Sequence, residues 1–433
     1  MDRVVEGRRS VRGSVSVPGD KSVSHRAVML GSVARGRSVI RGLSSAEDVL
    51  SSAKAMRAVG VPLHQEAGVT VVEGAGIEGF EALGSKGPYR IDCGNSGTTA
   101  RLLVGLLSGA GIPAELTGDE SLSRRPMGRV VDPLVRFGAR IETRDGRLPV
   151  ELKGVKPGVF RYVLPVASAQ VKTALLCCAL FLGGTSTVTE PERTRDHTER
   201  MLRHMGCSVE ERPAAPKGWE ITLAGRTELM PLDIVVPGDI SSAVFFVAAA
   251  LITPRSEVRV KNVLLNETRS RILDVFREMG AHIEVRERGG LMEPVGDVTA
   301  RSSRLKGVSV GGADIPLLID EIPALAAAAF FAEGETVVSG AKELRVKESD
   351  RVRGIVEMVR AFGGRIEELP DGFVLRGSER ARPAEVHSCG DHRLAMAASI
   401  VALNTEGKSI IRDAGCVHIS FPGFFEELQK CAG

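Results

Sequence analysis

Eight clusters of cations, hydroxyls, amides and carboxylates mark the starts of helix-like runs along this 433-residue chain. Five precede runs that are apolar nearly all round: Lys21-Ser22 with His25 and Arg26, Asn95-Ser96-Gly97-Thr98 with Arg101, Ser168-Ala169-Gln170 with Lys172, Asp320-Glu321, and Asp391-His392-Arg393. Three precede amphipathic runs: Arg124-Arg125-Pro126, Thr194-Arg195-Asp196-His197, and Lys347-Glu348-Ser349-Asp350-Arg351. Helix N-termini favour anions through unpaired N–H groups and the macrodipole. Lys and Arg add the charge that phosphate and carboxylate groups need. The inventory suits small polyanions, phosphorylated ones above all. Each cluster also has a plainer reading. Ser, Thr, Asn and Asp are ordinary N-caps, Lys347 to Arg351 reads alone as a solvated charged face, and His25 and His392 orient backbone as readily as they move protons. Recurrence at matching places in a repeat weighs toward function. Lys21 with Arg26 is the strongest pair. Val17-Pro-Gly-Asp-Lys-Ser-Val-Ser-His-Arg26 recurs 219 residues on (236 − 17) as Val236-Pro-Gly-Asp-Ile-Ser241, without the cations. The shared part reads as a turn from strand to helix.

The positioning elements repeat too. Six apolar runs, Ala27–Ala34, Leu102–Ala110, Val171–Leu182, Ala243–Ile252, Ile322–Phe331 and Leu394–Leu403, are each followed by a short β-type run and an amphipathic helix. Five of those second helices close on Gly60, Gly138, Gly206, Gly280 and Gly363, a C-cap signal. Alternating strands follow, so the unit reads βαβαββ. Three units per half give an N-terminal lobe over 20–234 and a C-terminal lobe of 1–19 plus 235–433. The sixth unit ends after its second helix, Pro422–Lys430, and the N-terminal segment, with its strand Ser10–Val17, is expected to complete it. Helices with no polar face must be buried on every side. The predicted fold class is therefore α/β with central helices and sheets outside, an inside-out α/β barrel twice over. A cleft between the lobes is expected to gather the clusters.

Other classes fall away. A net charge of +3, two Tyr and one Trp give no platform for nucleic acid. Seven Cys without C-x-x-C spacing read as reduced thiols, with Cys177 and Cys178 inside an apolar helix. No secretory h-region and no membrane-length apolar run is present, so a cytoplasmic protein is expected. Gly74-Ala-Gly-Ile-Glu-Gly79 matches G-x-G-x-x-G, but too short a segment follows for the required helix, and a hairpin turn is expected. Asp20 before Lys21 breaks a P-loop, and no zinc or G-x-S-x-G signature occurs.

As a set, Gly19-D-K-S-V-S-H-Arg26, Gly94-N-S-G-T-T-A-R-Leu102, Arg125-P-M-G-R, Ser168-A-Q-V-K, Thr194-R-D-H-T-E, Ile319-D-E, Leu344-R-V-K-E-S-D-Arg351, Asp391-H-R and Ser420-F-P-G-F-F resemble the 5-enolpyruvylshikimate-3-phosphate (EPSP) synthase family of enolpyruvyl transferases, in its class II flavour. The resemblance spans the chain and implies two lobes of three βαβαββ units. It implies transfer of enolpyruvyl from phosphoenolpyruvate (PEP) to the 5-hydroxyl of shikimate 3-phosphate, with no metal or organic cofactor. It also implies a monomer, a place in chorismate and aromatic amino acid biosynthesis, and inhibition by glyphosate. By the family pattern PEP falls to Lys21, Gly97, Arg125, Gln170, Arg351 and Arg393. Shikimate 3-phosphate falls to Lys21, Ser22, Arg26, Ser168, Ala169, Gln170, Arg195, Asp320 and Lys347. Asn95, Thr98, Arg101 and His392 form a second tier. Asp320 is the candidate base, and Glu348 the proton donor with Lys21 assisting. The chain departs from the pattern at Ile419, where some members carry a PEP-binding Lys, with His418 beside it. Two rivals are a UDP-N-acetylglucosamine enolpyruvyl transferase and a non-catalytic anion-binding repeat protein. The first characteristically carries Lys-Asn and a loop Cys, whereas Ser22 follows Lys21 and 118–129 holds no Cys.

Overall fold

A computed structural model describes residues 1–215 and 218–432. The chain divides into two compact units, Gly19–Val236 and Met1–Pro18 with Pro237–Gly433. Among the described residues each unit contains three copies of one motif. Five sheets have four strands, in which the first two strands of a copy run parallel and the closing pair antiparallel. In the second copy, Tyr89–Asp92 pairs with Ala114–Thr117, which pairs with Arg147–Leu152, which pairs with Ile141–Arg144.

The six apolar runs form the helices Lys21–Val33, Gly97–Ala110, Ala169–Ala179, Ile240–Ile252, Ile322–Ala329 and His392–Ala402. Beyond its first residues each is buried on every face, which removes apolar surface that no single sheet could cover. Close packing demands small residues at the crossings. A Cβ on Gly105 would stand 1.9 Å from Ala174 O, and one on Gly109 2.4 Å from Cys178 O, so these two glycines let the second and third core helices meet backbone to backbone. In the other unit Phe246 packs on Phe421 and Phe424, with ring centroids 5.9 and 5.6 Å away. Burying one such ring contributes about 1.5–3 kcal/mol.

The five glycines expected to close the second helices have φ between 88° and 106°, the left-handed region that a C-cap requires. The repeated Val-Pro-Gly-Asp is a strand-to-helix joint in both copies. Asp20 Oδ1 accepts from Val23 N at 2.9 Å, and Asp239 Oδ1 from Ser241 N at 2.8 Å. Each joint links elements of different units. The strand Arg12–Ser16 pairs with Glu257–Leu264, yet leads into Lys21–Val33; Asp233–Val235 pairs with Arg35–Arg41, yet leads into Ile240–Ile252. The strand expected at Ser10–Val17 therefore serves the fourth sheet. The sixth, three-stranded sheet is completed by Arg3–Glu6, antiparallel to Lys408–Arg412.

The Gly74–Gly79 hairpin is corrected. The strand Val69–Ala75 runs straight into a helix, Gly76–Ala82. A Cβ on Gly74 would sit 2.2 Å from Ala34 O, and Gly76 N donates to that same oxygen at 2.9 Å. These glycines seal the end of the first core helix, a packing demand with no signature in local propensity.

Candidate active site

In the Gly19–Val236 unit, helix starts assemble cations and amides. Asp20, Ser96 and Ser168 cap the three core helices through their side-chain oxygens. Half-buried Lys21 places Nζ 3.0 Å from Asp48 Oδ2, on the first turn of the helix Glu47–Val59. One turn along both helices, His25 Nδ1 meets Ser52 Oγ at 2.7 Å. Ser52 Oγ in turn meets Thr99 Oγ1 at 2.8 Å, and Thr99 bonds the cap Ser96. A hydroxyl chain thus ties the Lys21 helix to the Gly97 helix. Burial lowers the His25 pKa to about 4, with Asp48 opposing the shift, so the ring is neutral at pH 7.

At the Gly97 start, Arg101 donates to Gln170 Oε1 at 2.9 Å, and Gln170 Nε2 donates to Thr98 Oγ1 at 3.0 Å. Arg125 Nη2 reaches Asn95 Oδ1 at 3.2 Å, and Asn95 donates onward to Asp119 at 2.6 Å. Two groups of expected residues form here: Arg101 with Gln170, Thr98 and Gly97 O (3.4 Å), and Arg125 with Asn95. A Cβ at Gly97 would stand 2.8 Å from Arg101 Nη1 and 3.3 Å from Arg125 Nη1. The bare glycine is what allows two guanidinium groups to flank one helix N-terminus. Arg26 is buried and donates to Thr198 Oγ1, Thr173 Oγ1 and Ser22 O at 2.7, 2.7 and 2.8 Å. Two of its five N–H donors remain beyond these bonds. Ser22, Ser168, Ala169, Gln170 and Arg195 are half-buried.

In the other unit, fully buried Arg351 opens the helix Arg351–Ala361. Its Nε reaches Asp391 Oδ2 at 2.7 Å, Nη1 reaches Asp320 Oδ1 at 3.2 Å, and Nη2 reaches Glu348 Oε2 at 2.5 Å. Burial alone would lower the guanidinium pKa; the three carboxylates outweigh it and drive the value up. Arg393 Nη1 donates to Asp320 O at 3.1 Å, with Nε 3.4 Å from Asp320 Oδ1. Asp320 thus lies against two guanidinium groups. Lys347 is half-buried just before Glu348, and His392 is buried between Asp391 and Arg393. His418 is exposed, its Nδ1 3.2 Å from Gly415 O.

The sequence reading of the site did not name Asp48, which pairs with Lys21, and named Asp391 without its pairing to Arg351. Lys172, grouped in sequence with the anion-facing cations, is instead 1 % exposed and locked between Glu190 and Glu199. Its position four residues past a cap is compatible with either outcome; only the fold supplies the two carboxylates.

Six repeated α/β motifs with buried central helices and outer sheets define a protein of the inside-out α/β class, with guanidinium, ammonium and carboxylate groups collected at several of its helix starts. A solved enolpyruvyl transferase from Streptomyces tendae shares this fold at TM-score 0.76 and 19% identity, covering 99% of this chain and 96% of that one. The chain belongs to the EPSP synthase (3-phosphoshikimate 1-carboxyvinyltransferase) family, whose sequence profile matches residues 5–428. The 3-phosphoshikimate 1-carboxyvinyltransferase of Desulforudis audaxviator is 48% identical over 428 residues, 98% of this chain and 97% of the relative. The EPSP synthase structure from Acinetobacter baumannii superposes at TM-score 0.86 with 38% identity, covering 100% of this chain and 98% of that one. The chain is accordingly an enzyme, a transferase.

Proposed function

We propose that this enzyme transfers the enolpyruvyl group of PEP to the 5-hydroxyl of shikimate 3-phosphate, giving 5-enolpyruvylshikimate 3-phosphate and phosphate in the shikimate pathway. The supporting observation is the Arg351 cluster, which holds Asp320 and Glu348 on one buried guanidinium beside Arg393. The reaction needs both a proton donor and a proton acceptor among anion-binding cations. Glu348 protonates C3 of PEP, which makes C2 electrophilic. The 5-hydroxyl attacks C2 and gives its proton to Asp320, forming a tetrahedral adduct. The Glu348 carboxylate then takes a proton back from C3 as the C2–O bond to phosphate breaks; Lys21 neutralises the departing phosphate, and Asp320 returns its proton to solvent. Glu348 stands 2.5 Å from Arg351, a cation that on this reading also meets PEP. Lys21, Gly97, Arg125, Gln170, Arg351 and Arg393 serve PEP. Ser22, Arg26, Ser168, Ala169, Gln170, Arg195, Lys347 and Asp320, with Lys21, serve shikimate 3-phosphate. Asn95, Thr98, Arg101 and His392 support them. Preorganised cations aimed at developing charge supply the larger share of such rate enhancements.

The enzyme works as a monomer in the cytoplasm on this reading; among the described residues no helix is long and apolar enough to cross a membrane. Glyphosate, an anion competing for the PEP cations, inhibits it, and an inhibition constant far above the KM for PEP would refute that. The deciding assay follows inorganic phosphate released from PEP. Release with shikimate 3-phosphate and none with UDP-N-acetylglucosamine supports the assignment; the reverse selects the rival transferase, and no release with either leaves an anion-binding protein.

A further inference from the structure

Lys172 stands in the first turn of the helix Ala169–Ala179, where its charge opposes the helix dipole, and it is almost wholly removed from solvent. Its Nζ lies 3.0 Å from Glu190 Oε1, 2.8 Å from Glu199 Oε1 and 3.5 Å from Thr194 O. Both glutamates are fully buried. Such a group is costly to desolvate, a cost that the mutual attraction of its charges must offset. Burial works to lower the ammonium pKa, and the two carboxylates together more than offset it. Arg26 feels the charge of Glu199 as well. Burial pushes the Glu199 carboxyl up, and Lys172 beside it opposes that shift.

The cluster also reaches the substrate residues by direct bonds. Glu190 Oε1 accepts from Thr194 N at 3.0 Å, and Oε2 from Thr194 Oγ1 at 2.6 Å. Those bonds close the loop from Glu190 to Thr194, and Arg195 is the next residue. Thr173, beside Lys172, shares its hydroxyl with Thr198, beside Glu199, at 2.8 Å; both hydroxyls accept from Arg26. We infer that the Lys172–Glu190–Glu199 cluster is a positioning device that sets Arg195 and Arg26 for the phosphorylated acceptor. The inference rests on the proposed acceptor, shikimate 3-phosphate. Lys172, Glu190 and Glu199 touch no substrate and act through their neighbours.

The test compares Lys172→Met, Glu190→Ala and Glu190→Gln with wild type, and with Phe80→Leu as a control. Phe80 is a buried ring packed on Phe181 and outside the cluster, so its variant loses stability without disturbing the loop. KM is measured for each substrate well below every Tm. Lys172→Met and Glu190→Ala should raise KM for shikimate 3-phosphate about tenfold or more, with KM for PEP and kcat within about twofold. Glu190→Gln, whose amide oxygen still accepts from Thr194 N, should stay near wild type. Equal changes in both KM values, or changes no larger than those of Phe80→Leu at matched Tm, would overturn the inference. Should Lys172→Met fail to fold, the contrast between Glu190→Ala and Glu190→Gln makes the same decision. Wild-type protein without turnover on shikimate 3-phosphate would remove the functional reading itself, a separate outcome.

Discussion

Arg351 Nε donates to Asp391 Oδ2 at 2.7 Å, while the other oxygen of that carboxylate accepts from Arg393 N at 2.9 Å and caps the helix His392–Ala402. One buried aspartate therefore holds the guanidinium of Arg351 and the backbone of Arg393, the two residues whose guanidinium groups flank Asp320. Asp391→Asn keeps the cap acceptor and removes one of the three charges holding Arg351. The expected outcome is a loss of about 1–3 kcal/mol in stability by urea unfolding. A fall in kcat/KM of roughly 10- to 100-fold should accompany it, because the cations are no longer preorganised. Stability loss with unchanged kcat/KM would show that Asp391 is only a helix cap.

Gly97→Ala tests the other anion-facing helix start. The added methyl meets the far ends of two flexible side chains, at 2.8 Å for Arg101 and 3.3 Å for Arg125, so both can swing away without backbone movement. Tm should move by less than about 2 °C, because the neighbours that yield are mobile. KM for PEP should rise several-fold and inhibition by glyphosate should weaken in parallel, as the guanidinium groups lose their place. A large Tm drop with unaltered KM would contradict that account.

His25 makes stability depend on pH. Its folded pKa lies near 4 against 6.5 for the free side chain, because burial penalises the charged ring; Asp48 and Asp20 oppose the shift while Lys21 and Arg26 reinforce it. The unfolded chain binds the proton first on acidification. Stability from this group is thus complete above about pH 6.5 and falls as pH drops toward 4, by about 3 kcal/mol in total. Other carboxylates titrate in the same range, so the informative quantity is a difference. His25→Asn, which retains a polar partner for Ser52, should show a shallower loss of stability between pH 6.5 and 4 than wild type. Identical pH slopes would rule His25 out as the source.

Legibility in the sequence follows physical range. Gly60, Gly138, Gly206, Gly280 and Gly363 advertised helix ends because a left-handed cap is a local demand. The six core helices were visible because an all-round apolar run has nowhere else to go. Strand partnership was not visible. Alternation in Arg12–Ser16 and Asp233–Val235 specifies a buried face but no neighbour, and each pairs outside the unit that its following helix joins. Gly76–Ala82 was missed because it lacks a side-chain cap, and the glycines where it begins, Gly74 and Gly76, answer to Ala34 O, which is distant in sequence. Residue types and spacing marked the clusters that hold Lys21, Arg125, Glu348 and Arg351, while the proposed roles came from the family resemblance. Whether a cation faces substrate or a buried carboxylate depends on long-range packing, which is why Lys172 could not be separated from the rest.

The same long-range packing anchors the residue next to Asp320. Glu321, the next residue, is fully buried and accepts a hydrogen bond from Ser241 Oγ, on the first turn of the helix Ile240–Ile252. Ser241 Oγ also receives Arg269 Nη2 at 2.9 Å, and Arg269 reaches the cap Asp239 at 3.2 Å. The carboxylate assigned as base therefore adjoins a residue anchored by a buried network, although neither Ser241 nor Arg269 is assigned to substrate. Ser241→Ala removes the hydroxyl that bridges Glu321 and Arg269. It should cost about 1–3 kcal/mol for the buried partners left unsatisfied. If the anchor also sets the aim of Asp320, kcat should fall about tenfold or more while KM for PEP changes little, the pattern of an interaction realised in the transition state. Ser241→Thr, which restores the hydroxyl, should recover most of the rate. A variant that loses stability and keeps kcat would confine the network to folding.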